Sequence, residues 1–316
     1  MKVSEFMVQA LPLMLSDRLA PLNCTFDRSI RHNVLVAAMF NFEVDTLEMA
    51  LHNYCGVADV LLVEGRRFHN TRQRAYDRRP VLWPVISRHA RFKSLRGVVV
   101  KHVICSSGNN DRDMWSEERH VDTCMSNAIK GHLGVTPQYA SVVVGSVDEI
   151  LARNALVRLS TSPVVTPTSA TTGFFMSKAT VLFRSDWPSA GNPYSFALPT
   201  LYPTTSSTFT RQFGEIARGR SQNSVVYGGA HLTNYCFWPN RVIKEATATE
   251  YGGVWDPCNE ASDAETKCYA MLKHRTRPWH PLQDTHAVLP PAMAKQRYPA
   301  WYGARDPRET QLRRIC

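Results

Sequence analysis

Between Asn33 and Glu149 the chain alternates between two hydrophobic periods, and this alternation restricts the fold more than any other feature of the sequence. "VLVAAMF", Val34 to Phe40, is a continuous apolar run of strand length. In the following "NFEVDTLEMALHNY", Val44, Leu47, Leu51 and Tyr54 recur at helical spacing. Asn41 is placed to cap that helix, and Glu43 and Asp45 fall in its first turn, where the helix dipole favours negative charge. Gly56 supplies the stop. "VADVLLVEG" then reads as a second buried strand, and strand–helix–strand in this compass is a βαβ unit with parallel strands. A third strand is expected over Gly97 to Ile104. A helix over "WSEERHVDTCMSNAIKG" follows, with Ser116 as cap and Gly131 as stop, and then a fourth strand in "ASVVVG".

After Leu159 the texture changes. "STSPVVTPTSATTG" and "PTLYPTTSST" are rich in Ser, Thr and Pro, which predicts loops around a β-rich second half. Strands are expected there in "GFFMS", "TVLFR" and "VVYGGAHLTNYCF". The expected fold class is therefore α/β, with a mainly parallel central sheet flanked by helices and a second half rich in strands and loops.

With 316 residues, 44% of them apolar and 20% charged, the chain can bury a substantial core and is far from a disordered composition. Its formal charge of +10 favours anionic partners. Six arginines cluster between Arg66 and Arg79, and a nucleic-acid-binding protein using them is one rival reading. No nucleic-acid recognition motif accompanies the cluster, so no nucleic-acid partner is expected. The short apolar piece "FMVQALPLML" is broken by Pro12 and is too short to span a bilayer. It also lacks the layout of a signal peptide, so the chain as given reads as soluble. Eight scattered cysteines contain no CxxC pair, and "NCT" at Asn23 is an acceptor sequon only if the chain enters a secretory lumen. The compartment stays open on these grounds.

In open α/β sheets ligands bind beyond the carboxyl ends of the strands. The four expected strands aim Asn41 and Glu43, Glu64, and Ser146, Asp148 and Glu149 at one rim. If the last segment stays extended, Ser146 and Asp148 share one face and Glu149 takes the other. A hard divalent cation needs only one or two protein carboxylates when substrate phosphates complete its shell, and Asp148 could supply one. The plainer reading is that such acids begin an ordinary loop.

Taken in order, several blocks resemble glycosyltransferase family 17, the β-1,4-mannosyl-glycoprotein 4-β-N-acetylglucosaminyltransferase family. They are "FNFEVDTLEMAL", "VADVLLVEGRRFH", "MWSEERHVDTCMSNAIKG", "VVVGSVDEI", "TGFFMSK", "GGAHLTNYCF" with Lys244 beyond it, and "LPPAMAKQRYPAWY". The resemblance runs from about Val34 to Tyr302. It implies a GT-A-like fold and an inverting transferase, with UDP-GlcNAc as donor, Mn²⁺ or a similar divalent cation on the diphosphate, and a glycan or glycoprotein acceptor such as the β-mannose of an N-glycan core. By the same resemblance Asp148 and His231 would serve the metal, and Glu43, Glu64, Ser146 and Lys244 would border or contact the donor. Glu149 and Glu250 would be the candidates for the general base that an inverting transfer needs. Residues 1–33 would be an extension, 34–302 the transferase domain (34–159 for the donor, 160–302 for the acceptor) and 303–316 a basic tail. Following the family's animal members would put the chain in the Golgi or secretory lumen.

Three positions depart from the family pattern. The first acid of its Asp-x-Asp is Ser146, the arginine of its first helix is Ala50, and the tryptophan before the histidine is Ala230. Ser146 gives weight to an alternative, a catalytically degenerate protein that binds nucleotide sugar or glycan without turnover.

Overall fold

The computed structural model describes residues 11–12, 15, 24, 32–65, 81–105, 114–178, 181–185, 188–189, 192–193, 197–211 and 224–231. The first strand, β1 (Val34–Phe40), is followed by helix α1 (Val44–Tyr54) and β2 (Asp59–Gly65). A four-residue helix α2 (Trp83–Ile86), two short 3₁₀ turns and β3 (Val99–Cys105) lead to the long helix α3 (Met114–Val135). Then come β4 (Ser141–Ser146), β5 (Glu149–Leu151) and α4 (Arg153–Thr161). The remaining described strands are β6 (Thr168–Lys178), β7 (Val181–Ser185), β8 (Pro188–Ser189), β9 (Asn192–Pro193), β10 (Ala197–Pro203) and β11 (Ser224–His231).

Nine of these strands form one sheet in the order β3-β2-β1-β4-β10-β6-β11-β5, with β7 paired to β6. The first four are mutually parallel. That parallel block is the expected centre of an α/β fold, and β10 extends it by pairing antiparallel to β4. The two halves of the chain thus share a sheet.

Burial on both faces explains why β1, β2 and β4 read as unbroken apolar runs. On one face Leu35, Ala37, Met39, Leu61, Val63, Val142 and Val144 pack with Val121, Met125 and Ile129, three residues spaced by one helical turn along α3. On the other, α1 packs on β2 and α4, and α4 packs on β1. Helix α1 ends as expected: Gly56 has φ of 71°, the left-handed conformation that a helix C-terminus commonly adopts.

Several expected boundaries move. Glu43, not Asn41, is the residue preceding α1, because the chain turns once more after β1. Ser116 lies within α3 and Gly131 does not stop it. One glycine costs a helix only about 1 kcal/mol, and the buried Ile129 and His132 around it keep the turn packed. The helix ends just before Thr136 and Pro137, where proline cannot continue it. The threonine-rich stretches divide between loops, at 162–167 and 204–208, and strands: Thr168 begins β6, and Thr200 lies in β10 opposite Val144. Threonine is β-branched and suits a pleated surface, so at Thr168 and Thr200 strand pairing overrides its turn chemistry.

Candidate functional site

The strand order has a consequence for ligand binding. From β1 the chain builds outward on one side through β2 and β3, then crosses to the opposite side of β1 to lay down β4. The carboxyl ends of β1 and β4 therefore flank a topological switch point, the crevice where open α/β sheets take their ligands. Beyond β1 lie Asn41, Phe42 and Glu43. Beyond β4 lie Val147, Asp148 and Glu149. Val147 N–H donates to the Met39 carbonyl at 2.9 Å, so the two segments stay paired one residue past the end of β4.

The segment after β4 is a turn rather than a continued extension, which changes the expected alternation of side chains. Ser146 Oγ donates to Asp148 Oδ1. Glu149 Oε2 folds back to accept the Ser146 backbone N–H at 2.9 Å. All three polar side chains are thus gathered, with Asp148 2% and Glu149 4% exposed. Gly145 makes the fold-back possible. A Cβ at that position would lie 2.6 Å from Glu149 Oε2 and 2.7 Å from Pro199 Cβ. Across the sheet, β5 pairs antiparallel with β11, and the backbone register sets His231 opposite Glu149.

The other expected site residues have different surroundings. Glu43 Oε2 accepts the Phe42 N–H at 3.2 Å and, more weakly, the Asn41 N–H at 3.4 Å, so it braces the loop beside the crevice. Glu64 is fully buried. Its carboxylate accepts the Leu82 and Trp83 N–H groups at 2.6 and 3.2 Å, covering the start of α2, and lies 3.0 Å from His102 Nε2. These bonds turn Glu64 into an anchor for the segment after β2. Lys244 and Glu250 lie outside the described residues.

Sequence reasoning missed the scaffold under the acids. Asn53 Nδ2 donates to the Leu151 carbonyl at 2.7 Å. Arg153 Nη1 donates to the Cys55 and Asn53 carbonyls at 2.6 and 3.2 Å, where the C-terminus of α1 favours a cation. Burial, the nearby Glu149 charge and, less, that of Asp148 push the Tyr54 phenol well above its ordinary range. Deeper still, Arg91 donates from Nε to Glu48 at 2.6 Å and from Nη2 to Asp45 at 2.6 Å, all three residues buried. Asp45 and Glu48 are three apart on one helix face, a signal for a shared buried cation that the sequence carried without naming Arg91.

Among the described residues no group of three or more His, Cys, Asp or Glu side chains is arranged to hold a metal ion. The Asp148 carboxylate with the neighbouring Ser146 hydroxyl is instead a hard oxygen donor set. It suits a divalent cation whose remaining ligands are phosphate oxygens and water. No described helix is long and apolar enough to cross a membrane.

No protein-family model matches the chain, and no curated protein sequence matches it. Among solved structures, a mannosyltransferase from Pyrobaculum calidifontis in complex with GDP-Man and Mn²⁺ is similar over 98% of this chain and 90% of its own, at 12% identity and a TM-score of 0.34. A protein described as a nucleotide-diphospho-sugar transferase from Desulfovibrio desulfuricans G20 is similar over 77% of this chain and 99% of its own, at 10% identity and a TM-score of 0.29.

Proposed function

We propose that this chain is a nucleotide-sugar glycosyltransferase of GT-A-like fold, inverting, with a divalent cation such as Mn²⁺ and UDP-GlcNAc as donor to a glycan acceptor. The observation that carries the reading is the position of the Ser146–Asp148–Glu149 turn at the switch point between β1 and β4. The order of the sequence blocks supports the donor and the family.

In this reading Asp148 holds the cation and Ser146 orients the Asp148 carboxylate. When bound, the cation supplies positive charge that stabilises the departing diphosphate. Asn41 to Glu43 line the crevice on the β1 side. The acceptor hydroxyl oxygen bonds to the anomeric carbon as the carbon–oxygen bond to the diphosphate breaks, and the hydroxyl proton passes to a carboxylate. Glu149, with Oε2 on the Ser146 N–H, and Glu250 are the two candidates for that base. His231, whose backbone is in register with Glu149, and Lys244 are assigned to the metal and diphosphate on the sequence blocks alone.

The test is calorimetry with UDP- and GDP-sugars in the presence and absence of Mn²⁺, paired with nucleotide release. Asp148→Asn keeps the size of the side chain and an oxygen for the Ser146 hydroxyl. It is expected to remove Mn²⁺-dependent nucleotide binding while leaving the melting temperature within a few degrees of wild type. Undiminished Mn²⁺-dependent binding in that variant would rule out the assignment of Asp148.

One observation favours the second reading. Ser146 stands where the family pattern has an acid and donates a hydrogen bond to Asp148, so the turn offers one negative charge fewer than that pattern. Nucleotide-sugar binding without turnover, across a panel of acceptors, would establish the degenerate binder.

A further inference from the structure

The four cysteines among the described residues are all joined in pairs. Cys24 bonds Cys55, and Cys105 bonds Cys124, with Cα–Cα separations of 6.1 and 6.0 Å, inside the range that a disulfide spans without moving the backbone. Their placement is structural in both cases. Cys105 closes β3, the outermost strand of the parallel block, and Cys124 lies on α3, so one bond ties the sheet edge to the helix covering it. Cys55 follows the last residue of α1, and its bond brings in Cys24 from 31 residues upstream. Cys105 is 1% exposed and packs in the core with Val121 and Met125.

Two long-range bonds of this kind are rare where thiol pools keep cysteines reduced. We propose that this chain matures in a thiol-oxidising compartment and works there with Cys24–Cys55 and Cys105–Cys124 closed. Each bond forms as two thiols give up two protons and two electrons to an oxidised partner, a protein or glutathione disulfide, which becomes two thiols. The proposal is independent of the transferase reading.

The experiment uses the full chain recovered from the cells that make it, with N-ethylmaleimide present at lysis, digested with trypsin without reductant. The sequence places the four cysteines in four separate peptides: Leu19–Arg28, His32–Arg66, His102–Arg112 and His120–Lys130. The first also carries the Asn23 sequon, so the digest includes a glycosidase. The expected result is two linked species, the first peptide with the second and the third with the fourth, each separating on reduction. Reduction of the intact protein is expected to lower its melting temperature by roughly 5 °C or more. Recovery of these peptides unlinked and carrying N-ethylmaleimide would overturn the proposal, as would linkage in any other pairing.

Discussion

Replacing Gly145 by alanine tests how the acidic turn is held. The added methyl carbon would sit 2.6 Å from Glu149 Oε2 and 2.7 Å from Pro199 Cβ, both closer than real side chains come. Pro199 belongs to β10, whose next residue, Thr200, is paired with Val144, so it cannot withdraw without shifting a ladder. Glu149 can withdraw only by giving up the Ser146 N–H. Overpacking of this sort costs about 1–3 kcal/mol, and loss of the hydrogen bond of the half-buried Ser146 amide costs about 0.5–1.5 kcal/mol more. The stiffer backbone of the unfolded alanine variant returns about 0.4–1 kcal/mol. The net expectation is a loss of about 1–4 kcal/mol, read as a lower urea midpoint at unchanged slope. Gly134→Ala is the control, because a Cβ there meets nothing within 4 Å on a helix. It is expected to be neutral or stabilising by about 1 kcal/mol. Nucleotide binding with Mn²⁺ should weaken in the Gly145 variant and not in the Gly134 variant. A Gly145→Ala protein that unfolds at the wild-type urea concentration would refute the fold-back of Glu149.

Arg91→Met removes the guanidinium shared by the buried Asp45 and Glu48 and is expected to cost about 3–5 kcal/mol, measured by denaturant unfolding; a loss under about 1 kcal/mol would mean that other groups neutralise the carboxylates. Ser146→Asp sets a second carboxylate against Asp148, so it should destabilise the cation-free protein and tighten Mn²⁺ binding, both readable in melting curves with and without the ion. Burial and the Lys101 charge lower the His132 pKa against the opposing pull of Asp59, so the unfolded chain takes up that proton more readily than the folded one. Its share of stability is present above pH 6.5 and is lost as the pH falls below it, and His132→Gln should flatten that acid limb of a melting-temperature profile. Burial raises the Tyr54 and Tyr139 pKa values, so their share is present below pH 10.0 and is lost above it.

The parallel block was legible because strands buried on both faces must be apolar without interruption, and Val34–Phe40, Val60–Val63 and Val142–Val144 are. Gly56 was legible for a local reason, its freedom at positive φ. Ser146, Asp148 and Glu149 could be placed at the rim by counting from the end of a strand. Their mutual bonds could not, because whether residues after a strand stay extended depends on what packs beneath them, here Gly145 and Pro199. Glu64 shows the same limit: its position at the rim was correct, yet its partners are amides 18 and 19 residues further on. Nothing local in the sequence announces them. The strands of the second half were blurred by threonine, which suits both turns and pleated sheets.

The scaffold beneath the acids bears on how a ligand would be held. Helix α1 starts beside the crevice, and at its far end Asn53 and Cys55 are bonded to Leu151 and Arg153. The same helix therefore touches the site from two directions, through the Asn41–Glu43 loop and through the strand that Glu149 begins. The Cys24–Cys55 bond fixes that far end to the chain preceding β1. The 146–149 turn is closed by its own hydrogen bonds and backed at Gly145 by Pro199 of β10, so binding would have little left to order. Affinity then depends on the charge and donor atoms offered rather than on loop closure. On that ground a change at position 146, whose hydroxyl bonds Asp148, is expected to act on cation and nucleotide affinity through charge and through the orientation of that carboxylate.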